Sequence, residues 1–171
     1  LLEHVENMNR GLYLDEELHE PSPNNFCIGV AGYPEKHFNA PNLKTDLKYL
    51  KNKVDKGAEY IVTQMFFDNK KYFEFVDKCR EVGITVPIIP GIKPLTTKSQ
   101  LTILPQIFHI DLPEELSDEA EKCKDNASVK QLGVEWAVKQ SKELIKYGAP
   151  TIHFYSMGKS DPIYRIAKEL F

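Results

Sequence analysis

One glutamine lies inside an apolar, strand-like run, where a polar side chain must find a partner. Gln64 comes near the end of the run Tyr60–Phe67. Its amide offers both a hydrogen-bond donor and an acceptor, and an unpaired buried amide costs about 1–3 kcal/mol. The partner of Gln64 could be a ligand with a matching edge, such as a pterin or a nicotinamide carboxamide. It could also be neighbouring backbone.

Two further polar side chains follow an earlier apolar run, Phe26–Ala31. Tyr33 and His37 stand on the loop after it, within the run Tyr-Pro-Glu-Lys-His. An aromatic ring in this position can pack against a cofactor, and an imidazole can donate a hydrogen bond to a phosphate or ribose oxygen. The alternative is a tyrosine that seals the rim of the fold beside a solvated histidine.

Three side chains recur at steps of three and four along the predicted helix Asn42–Lys56. Asp46, Tyr49 and Lys53 therefore lie on one flank of its apolar stripe. A lysine can hold a pyrophosphate as a point charge, and a carboxylate can accept a sugar hydroxyl. A solvated helix edge with a tyrosine packed on it is the alternative that this spacing leaves open.

The elements that position these residues alternate between strands and helices. Near-continuous apolar runs predict strands covered on both faces, and apolar steps of three and four predict helices. After an opening helix the order is β-α-β-α-β-α(α)-β-α, which predicts a parallel sheet with right-handed crossovers. The predicted strands are Phe26–Ala31, Tyr60–Phe67, Val86–Pro90 and Pro150–Tyr155. The predicted helices are Leu1–Asn9, Asn42–Lys56, Thr97–Ile107, Pro113–Lys124 and Ser128–Tyr147, together with one that is capped by Asp68 or Asn69 and ends near Val82 and one that begins at Ser160 or Asp161. The segment Gly11–Asn25 is a predicted surface loop.

This order predicts an α/β fold in a single domain over residues 1–171, with a helix end and loop over 1–25 and βα units over 26–171. Four βα units fit either a small doubly wound sheet or half of an eight-unit barrel. A complete barrel takes about 250 residues. A GxGxxG motif, typical of the doubly wound dinucleotide-binding fold, follows none of the runs. Half a barrel is therefore the favoured geometry.

Composition is that of a globular domain, with 42% apolar and 27% charged residues. A net charge of −3 argues against a nucleic-acid or anionic-membrane partner. The sequence contains no apolar run near the length of about 20 residues that crosses a bilayer. Cys27, Cys79 and Cys123 are scattered, which favours free thiols in the cytoplasm over disulfides, and no side chains have metal-ligand spacing. The sequence begins with Leu1 rather than methionine, so we expect either that residues have been removed or that it is a piece of a longer protein.

Five motifs occur together along the chain. They are Val30–His37, Gly57-Ala58, Thr63–Asp68, Ile88–Pro94 and His153–Tyr155. In order and spacing they resemble the methylenetetrahydrofolate reductase family, and the resemblance covers everything from residue 26 to residue 171.

The resemblance implies a (βα)8 TIM barrel that binds FAD. It implies an enzyme that takes a hydride from NADH or NADPH and reduces 5,10-methylenetetrahydrofolate to 5-methyltetrahydrofolate. This chain would supply the last four βα units. The family's acidic general acid belongs to the first four units, so the resemblance implies no catalytic residue here and a chain incomplete for turnover. Two other functions stay open: a non-catalytic half-barrel that only binds FAD or folate, and a different barrel enzyme, which the lack of phosphate-loop glycines makes less favourable.

The resemblance also assigns binding residues. One glutamine, Gln64, would contact folate and nicotinamide in turn, which implies ping-pong kinetics. Compared with the family pattern, Tyr49 replaces a smaller amide residue, Asn52 a basic one and Lys159 an arginine. The positions implied for FAD are Tyr33, His37, Asp46, Tyr49, Asn52 and Lys53; those implied for the substrates are Gln64, Gln100, Tyr155 and Lys159.

Half a barrel would expose two sheet edges and one apolar sheet face, which is unfavourable for a free chain. We therefore expect either a covalent continuation or pairing with another copy, that is, a homo-oligomer. His153, within the last predicted strand, is expected to be a hydrogen-bonded core residue.

Overall fold

The computed structural model describes residues 1–15, 18 and 20–171. Within these residues strands and helices alternate in the predicted order after an opening helix. The elements are α1 (Leu2–Asn9), β1 (Gly29–Gly32), α2 (Leu43–Asp55), β2 (Tyr60–Met65), α3 (Asn69–Glu81), β3 (Ile88–Ile92), α4 (Gln100–Phe108), α5 (Glu114–Lys122), α6 (Asn126–Tyr147), β4 (His153–Phe154) and α7 (Ser160–Leu170).

The strands form one parallel sheet in the order β1-β2-β3-β4 over the described residues. Val30 pairs with Ile61, Ile61 with Ile88, and Gly91 with His153. A doubly wound sheet reverses its strand order at a switch point, whereas this order follows the chain without reversal. The predicted α/β class is confirmed, and within the described residues the sheet has no switch point of the doubly wound kind.

Local signals in the sequence fix several helix ends. The side chains of Asn42, Asp68 and Asp125 accept the backbone N–H of Thr45, Lys70 and Ser128, respectively, and so satisfy donors that the first turn leaves unpaired. Gly148 ends α6 in the left-handed region, with φ of 99°. The Asp125 cap also explains why α6 begins two residues before the predicted Ser128.

The core lies between the sheet and the helices. Ile61, Ile88 and Ile92 are buried against Phe75 of α3 and Leu144 of α6. A second cluster, which includes Met65, Leu104 and Leu116, fills the space under α4 and α5. The other face of β2, which carries Val62 and Gln64, is only half-buried. The sheet therefore has one packed face and one partly open face.

The first strand differs from the prediction. Phe26 is 45% exposed and lies outside β1, and Gly29 and Ala31 within β1 are exposed, so the strand is not covered on both faces. Phe26 is bonded elsewhere: its N–H donates to Asn9 Oδ1 at 2.8 Å, and Asn9 Nδ2 donates to Phe26 O at 3.0 Å. This amide occupies the backbone groups of Phe26 that a strand would use.

The last strand is also shorter than predicted. β4 holds only His153 and Phe154, which pair with β3 on one side. The chain before β4 is used to close the end of α6, where the Ala149 N–H donates to Leu144 O. The expectation of a core His153 was wrong: the side chain is exposed on the open face of the sheet and meets the ring of Tyr155 edge-on at 4.6 Å.

The remaining differences are small shifts at helix and strand ends. In particular, α4 begins at Gln100 rather than Thr97, and β3 continues through Ile92 beyond the predicted Pro90. The predicted loop Gly11–Asn25 includes positions 16, 17 and 19, which lie outside the described residues. Across the part of the chain that the structure describes, no helix has the length and apolarity needed to cross a membrane.

Replacing Gly133 by alanine should destabilise the fold. Gly133 is buried in α6, and an added Cβ would lie 1.9 Å from the backbone oxygen of Leu95, which has no side-chain rotamer that could relieve the clash. Alanine gains about 1 kcal/mol of helix propensity over glycine, but overpacking of this kind costs about 1–3 kcal/mol or more. Urea unfolding should show a net loss of stability, whereas Lys142→Ala on an exposed position of the same helix should change it by less than about 0.5 kcal/mol. A Gly133→Ala protein as stable as the parent would contradict this close contact.

Candidate functional site

The parallel sheet brings the carboxyl ends of its strands to one edge. The residues at and after these ends include Tyr33 after β1, Gln64 in β2, Lys93 after β3 and Tyr155 after β4. In open and closed parallel α/β folds, ligands bind at this edge of the sheet. We therefore take it as the candidate active site.

The loop after β1 brings three of the predicted cofactor residues together. The rings of Tyr33 and His37 meet edge-on at 4.5 Å, and the backbone N–H of His37 donates to Asp46 Oδ2 at 2.8 Å. Burial, followed by the charge of Asp46, raises the pKa of Tyr33. The N–H of Asn39 donates to His37 Nδ1 at 3.2 Å, so the neutral imidazole carries its proton on Nε2, where it can be donated to a ligand.

The other predicted cofactor residues continue along α2. Lys53 is two turns from Asp46, about 10 Å along the helix axis, and is half-buried. Tyr49 is 53% exposed, and Asn52 is exposed as well. Together with Asp46, these three side chains form a polar strip along α2 that an extended ligand can follow.

Gln64 is half-buried, and one end of its amide has the backbone partner that one of the two interpretations expects. Its Oε1 accepts the backbone N–H of Met65 at 2.9 Å, so the oxygen has a backbone partner. Within the described residues its side-chain NH2 group makes no hydrogen bond. Gln64 thus keeps two N–H donors for a ligand.

Tyr155 is held in place by a close approach over β3. Its hydroxyl donates to the backbone oxygen of Thr63 at 2.9 Å, and the ring passes over Gly91. A Cβ on Gly91 would lie 2.4 Å from Thr63 O and 2.6 Å from the Tyr155 ring. Because the hydroxyl is committed to the backbone, Tyr155 presents its ring rather than its oxygen to the cleft. Burial raises its pKa.

Gln100, at the start of α4, uses its oxygen internally. Its Oε1 accepts the backbone N–H of Thr96 at 2.7 Å and lies 3.2 Å from the Thr96 hydroxyl oxygen. This bond fixes the segment between β3 and α4. As for Gln64, only the amide N–H donors remain for a substrate.

Lys159 precedes α7 and is exposed. It lines a cavity of about 610 Å³ together with Thr96, Lys130 and Ser160, among others. The Lys130 ammonium is paired with Asp161 at 2.9 Å. Lys159 therefore stands at the mouth of a polar cavity and, across the part of the chain that is described, has no ion pair of its own.

Lys93 is buried, which its position in the sequence does not predict. It follows β3 directly, and only 5% of its surface is exposed. Burial, and then the charge of Lys159, lowers the pKa of Lys93. The sequence places Lys93 between an apolar strand and Pro94, at the predicted ligand-binding edge, and this position could have marked it as a candidate site residue. Its burial depends on the tertiary structure and has no sequence signal.

Glu35 lies within the Tyr33–His37 run and was also not predicted as a site residue. Its Oε2 accepts the N–H of Asp111 at 2.7 Å, and its Oε1 is buried without a hydrogen-bond partner among the described residues. Burial raises the pKa of this carboxyl. Glu35 lines a cavity of about 10 Å³ with Tyr33 and Gln64, so it lies beside the predicted ligand contacts.

The Glu35 bond is reinforced by stacked rings. Phe38 stacks on His109 at 4.7 Å and on His37 at 4.9 Å. The loop after β1 is thereby joined to the end of α4, across the edge where the site lies. A search of the described residues finds no group of three or more His, Cys, Asp or Glu side chains that could hold a metal ion.

Replacing Glu35 by glutamine should make stability less sensitive to pH. The raised pKa means that the folded state favours the protonated carboxyl. Its contribution is complete below the pKa of an unfolded glutamic acid, about 4.3, and is lost as the pH rises through the raised folded-state pKa. Glutamine can still accept the Asp111 N–H but carries no charge. Urea unfolding from pH 4 to pH 8 should show Glu35→Gln gaining stability over the parent as the pH rises, whereas the exposed control Glu121→Gln should show no such trend. A constant difference across this range would contradict the burial of the charge.

Comparison with known proteins covers nearly the whole chain. The family model described as methylenetetrahydrofolate reductase matches residues 2–171. A Caenorhabditis elegans protein named probable methylenetetrahydrofolate reductase (NADPH) is 39% identical over 163 residues, which is 94% of this chain and 25% of that protein. The 5,10-methylenetetrahydrofolate reductase of Escherichia coli is 36% identical over 146 residues, or 85% of this chain and 49% of that one.

The alignments cover most of this chain but only part of each relative. An Arabidopsis thaliana protein named methylenetetrahydrofolate reductase (NADH) 1 is 39% identical over 77% of this chain but only 24% of its own length. The chain thus spans about a quarter of these eukaryotic relatives and about half of the E. coli protein.

One solved structure supports the fold. A Clostridium thermocellum protein, described as binding two copies of 5-methyl-5,6,7,8-tetrahydrofolic acid, superposes with a TM-score of 0.55 at 20% identity, covering 84% of this chain and 52% of that one. At this identity the likeness shows the architecture alone. The match of the family model over residues 2–171, together with relatives of 36–39% identity, shows that the chain belongs to the methylenetetrahydrofolate reductase family.

Proposed function

We propose that this chain forms the last four βα units of a (βα)8 barrel that reduces 5,10-methylenetetrahydrofolate to 5-methyltetrahydrofolate in one-carbon metabolism. The observation that carries the proposal is the meeting of Tyr33, Gln64 and Tyr155 at the carboxyl edge of a parallel sheet in a chain of this family. The electron donor is NADH or NADPH. Both occur in the names of relatives at the same 39% identity, so we propose no preference between them.

The residues of this chain fit FAD as the cofactor. The donor set along α2 and the loop before it holds a cation, a carboxylate with one oxygen already oriented by a backbone N–H, and an aromatic pair. Lys53 would hold the pyrophosphate, Asp46 would accept a ribityl or ribose hydroxyl, and His37 Nε2–H would donate to a ligand oxygen. Tyr49 and Asn52 would flank the strip, and Tyr33 would pack against the cofactor. FAD held by these residues would supply the hydride transfer between the two substrates.

The proposed substrate contacts lie beside this strip. Gln64 would offer its free N–H donors to the folate and to the nicotinamide carboxamide in turn, which requires ping-pong kinetics. Tyr155 would provide a flat surface, since its hydroxyl is committed to Thr63. Gln100 would donate from its amide, and Lys159 would meet a carboxylate of the folate. The methyltetrahydrofolate bound by the C. thermocellum neighbour supports folate as the ligand class.

We propose one domain over residues 1–171 in a cytoplasmic homo-oligomer. Cys27, Cys79 and Cys123 are free, which suits a reducing compartment. β1 and β4 each have one unpaired edge within the described part of the chain, and the sheet has a partly open face. Such edges are favourable only when something covers them.

Replacing Lys53 by alanine should weaken FAD binding by about tenfold or more, because a hydrogen bond to a charged group contributes about 1.5–3 kcal/mol. The measurement is a titration of FAD into the purified protein, followed by flavin fluorescence. The matched control is Lys48→Ala, an exposed lysine on another face of the same helix, which should leave the affinity unchanged.

The same titration tests the alternative function. Saturable binding followed by bleaching with NADH or NADPH supports the reductase. Binding without bleaching would instead favour a module that only holds the cofactor. Equal affinities for Lys53→Ala and the parent would show that the pyrophosphate does not lie on α2.

In the complete barrel enzyme, replacing Gln64 by methionine should lower kcat/KM by about tenfold in both half-reactions, since it removes the shared N–H donors. Stopped-flow flavin absorbance can follow reduction by NAD(P)H and reoxidation by methylenetetrahydrofolate separately. The control is Val62→Met, two residues earlier on the same half-buried face of β2. A loss confined to one half-reaction would show that the two substrates do not share Gln64.

A further inference from the structure

The carboxyl group of Glu35 has one anchored oxygen and one free oxygen. Its Oε2 accepts the backbone N–H of Asp111 at 2.7 Å, whereas its Oε1 is buried and has no hydrogen-bond partner in the described part of the chain. Buried polar atoms nearly always have a partner, which is either a protein group or an ordered water. Because the first oxygen is held by the backbone, the second has a fixed position and requires a donor that reaches it there.

The amide of Gln64 shows the complementary arrangement. Its Oε1 accepts the backbone N–H of Met65 at 2.9 Å, and its side-chain NH2 group makes no hydrogen bond to any other described residue. The nitrogen of a primary amide carries two N–H donors. Glu35 thus has an acceptor without a donor, and Gln64 has donors without an acceptor.

Glu35 and Gln64 line the same cavity, whose volume is about 10 Å³. This volume is roughly that of one water-sized sphere, which is the least that holds an ordered water. Such a water also needs at least two polar partners. Met65 and Ile110, which lie in the same wall, are apolar and buried. The cavity therefore combines the size for a single water with two complementary polar groups.

The other polar side chains of the wall are less suited to Glu35. The ammonium of Lys36 already donates to two backbone oxygens of its own loop, at 2.7 and 3.0 Å. The ring of His109 is exposed and stacks on Phe38 at 4.7 Å. Tyr33 also lines the cavity, and its hydroxyl is the alternative donor to Glu35.

We propose that a single bound water joins Glu35 Oε1 to the side-chain NH2 group of Gln64, and that Glu35 is thereby a positioning residue for Gln64. The water donates to Glu35 and accepts one N–H of the amide, and the second N–H remains for the substrate. The Met65 N–H holds the oxygen end of the amide and the water holds the nitrogen end, so the amide keeps one orientation. The inference rests on the proposed function, in which Gln64 contacts both substrates in turn.

The test uses Glu35→Gln in the complete barrel enzyme. Glutamine can still accept the Asp111 N–H, but it presents an NH2 group to the cavity in place of an oxygen. Loss of this acceptor should lower kcat/KM by about fivefold in both half-reactions, measured by stopped-flow flavin absorbance, and should leave the affinity for FAD unchanged. The matched control is Glu121→Gln, at an exposed position of α5, which should change neither quantity.

A double-mutant cycle separates positioning of Gln64 from general support of the loop. In the Gln64→Met background, Glu35→Gln should cause no further loss, because both changes remove the same interaction. Additive losses would overturn the proposal. A weaker affinity for FAD would also overturn it, since that result indicates a displaced loop. An additive cycle with Gln64→Met and a non-additive cycle with Tyr33→Phe would assign the Glu35 oxygen to the Tyr33 hydroxyl instead.

A crystal structure of the unsubstituted enzyme gives a readout that does not depend on activity. The electron density should show one water within hydrogen-bond distance of Glu35 Oε1 and Gln64 Nε2. A dry cavity, or a water that contacts only one of the two side chains, would overturn the proposal. An enzyme that holds this water but does not reduce methylenetetrahydrofolate would overturn the proposed function and leave the water bridge in place.

Discussion

Parallel pairing of β2 with both of its neighbours is the constraint on which the rest of the structure depends. Because β1, β2 and β3 run in the same direction, each must be followed by a crossover, and each ends at the same edge of the sheet. The crossovers supply the helices that bury one face. The shared edge collects the polar residues that follow each strand. The parallel direction of the strands thus determines both the fold and the position of the site.

Buried side-chain groups of the core have hydrogen-bond partners among the described residues, with the exception of Ser141 Oγ in α6, whereas this edge holds two poorly satisfied charged groups. In the core, the hydroxyl of Tyr72 donates to Ile88 O at 2.7 Å, and the Asn69 and Gln140 side chains bond to each other at 3.2 Å. At the edge, Glu35 keeps an unpartnered buried oxygen and Lys93 a buried ammonium without an acid. Unsatisfied groups are expected where a ligand completes the structure, since selection for stability alone would remove them.

The sequence predicted the order of the elements because helix periodicity and glycine stops are local signals. It placed Gln64, Tyr33 and Tyr155 at one edge, which follows from strand direction alone. It missed the exposure of His153 and the exclusion of Phe26 from β1, since both depend on contacts with distant parts of the chain. The importance of Glu35 and Lys93 was also hidden, because burial of a charge is a property of the tertiary structure and leaves no periodic trace.

The contact between Gly133 and the backbone of Leu95 limits how this family member can change. The partner of Gly133 is main chain, so no substitution at position 95 can make room for a larger side chain on α6. Compensation would need the whole segment from Lys93 to Gln100 to move, and that segment carries the Thr96–Gln100 bond and borders the cavity at Lys159. Substitutions on the outer surface of α6 therefore leave the site unchanged, whereas substitutions on its inner face would also change the shape of the site.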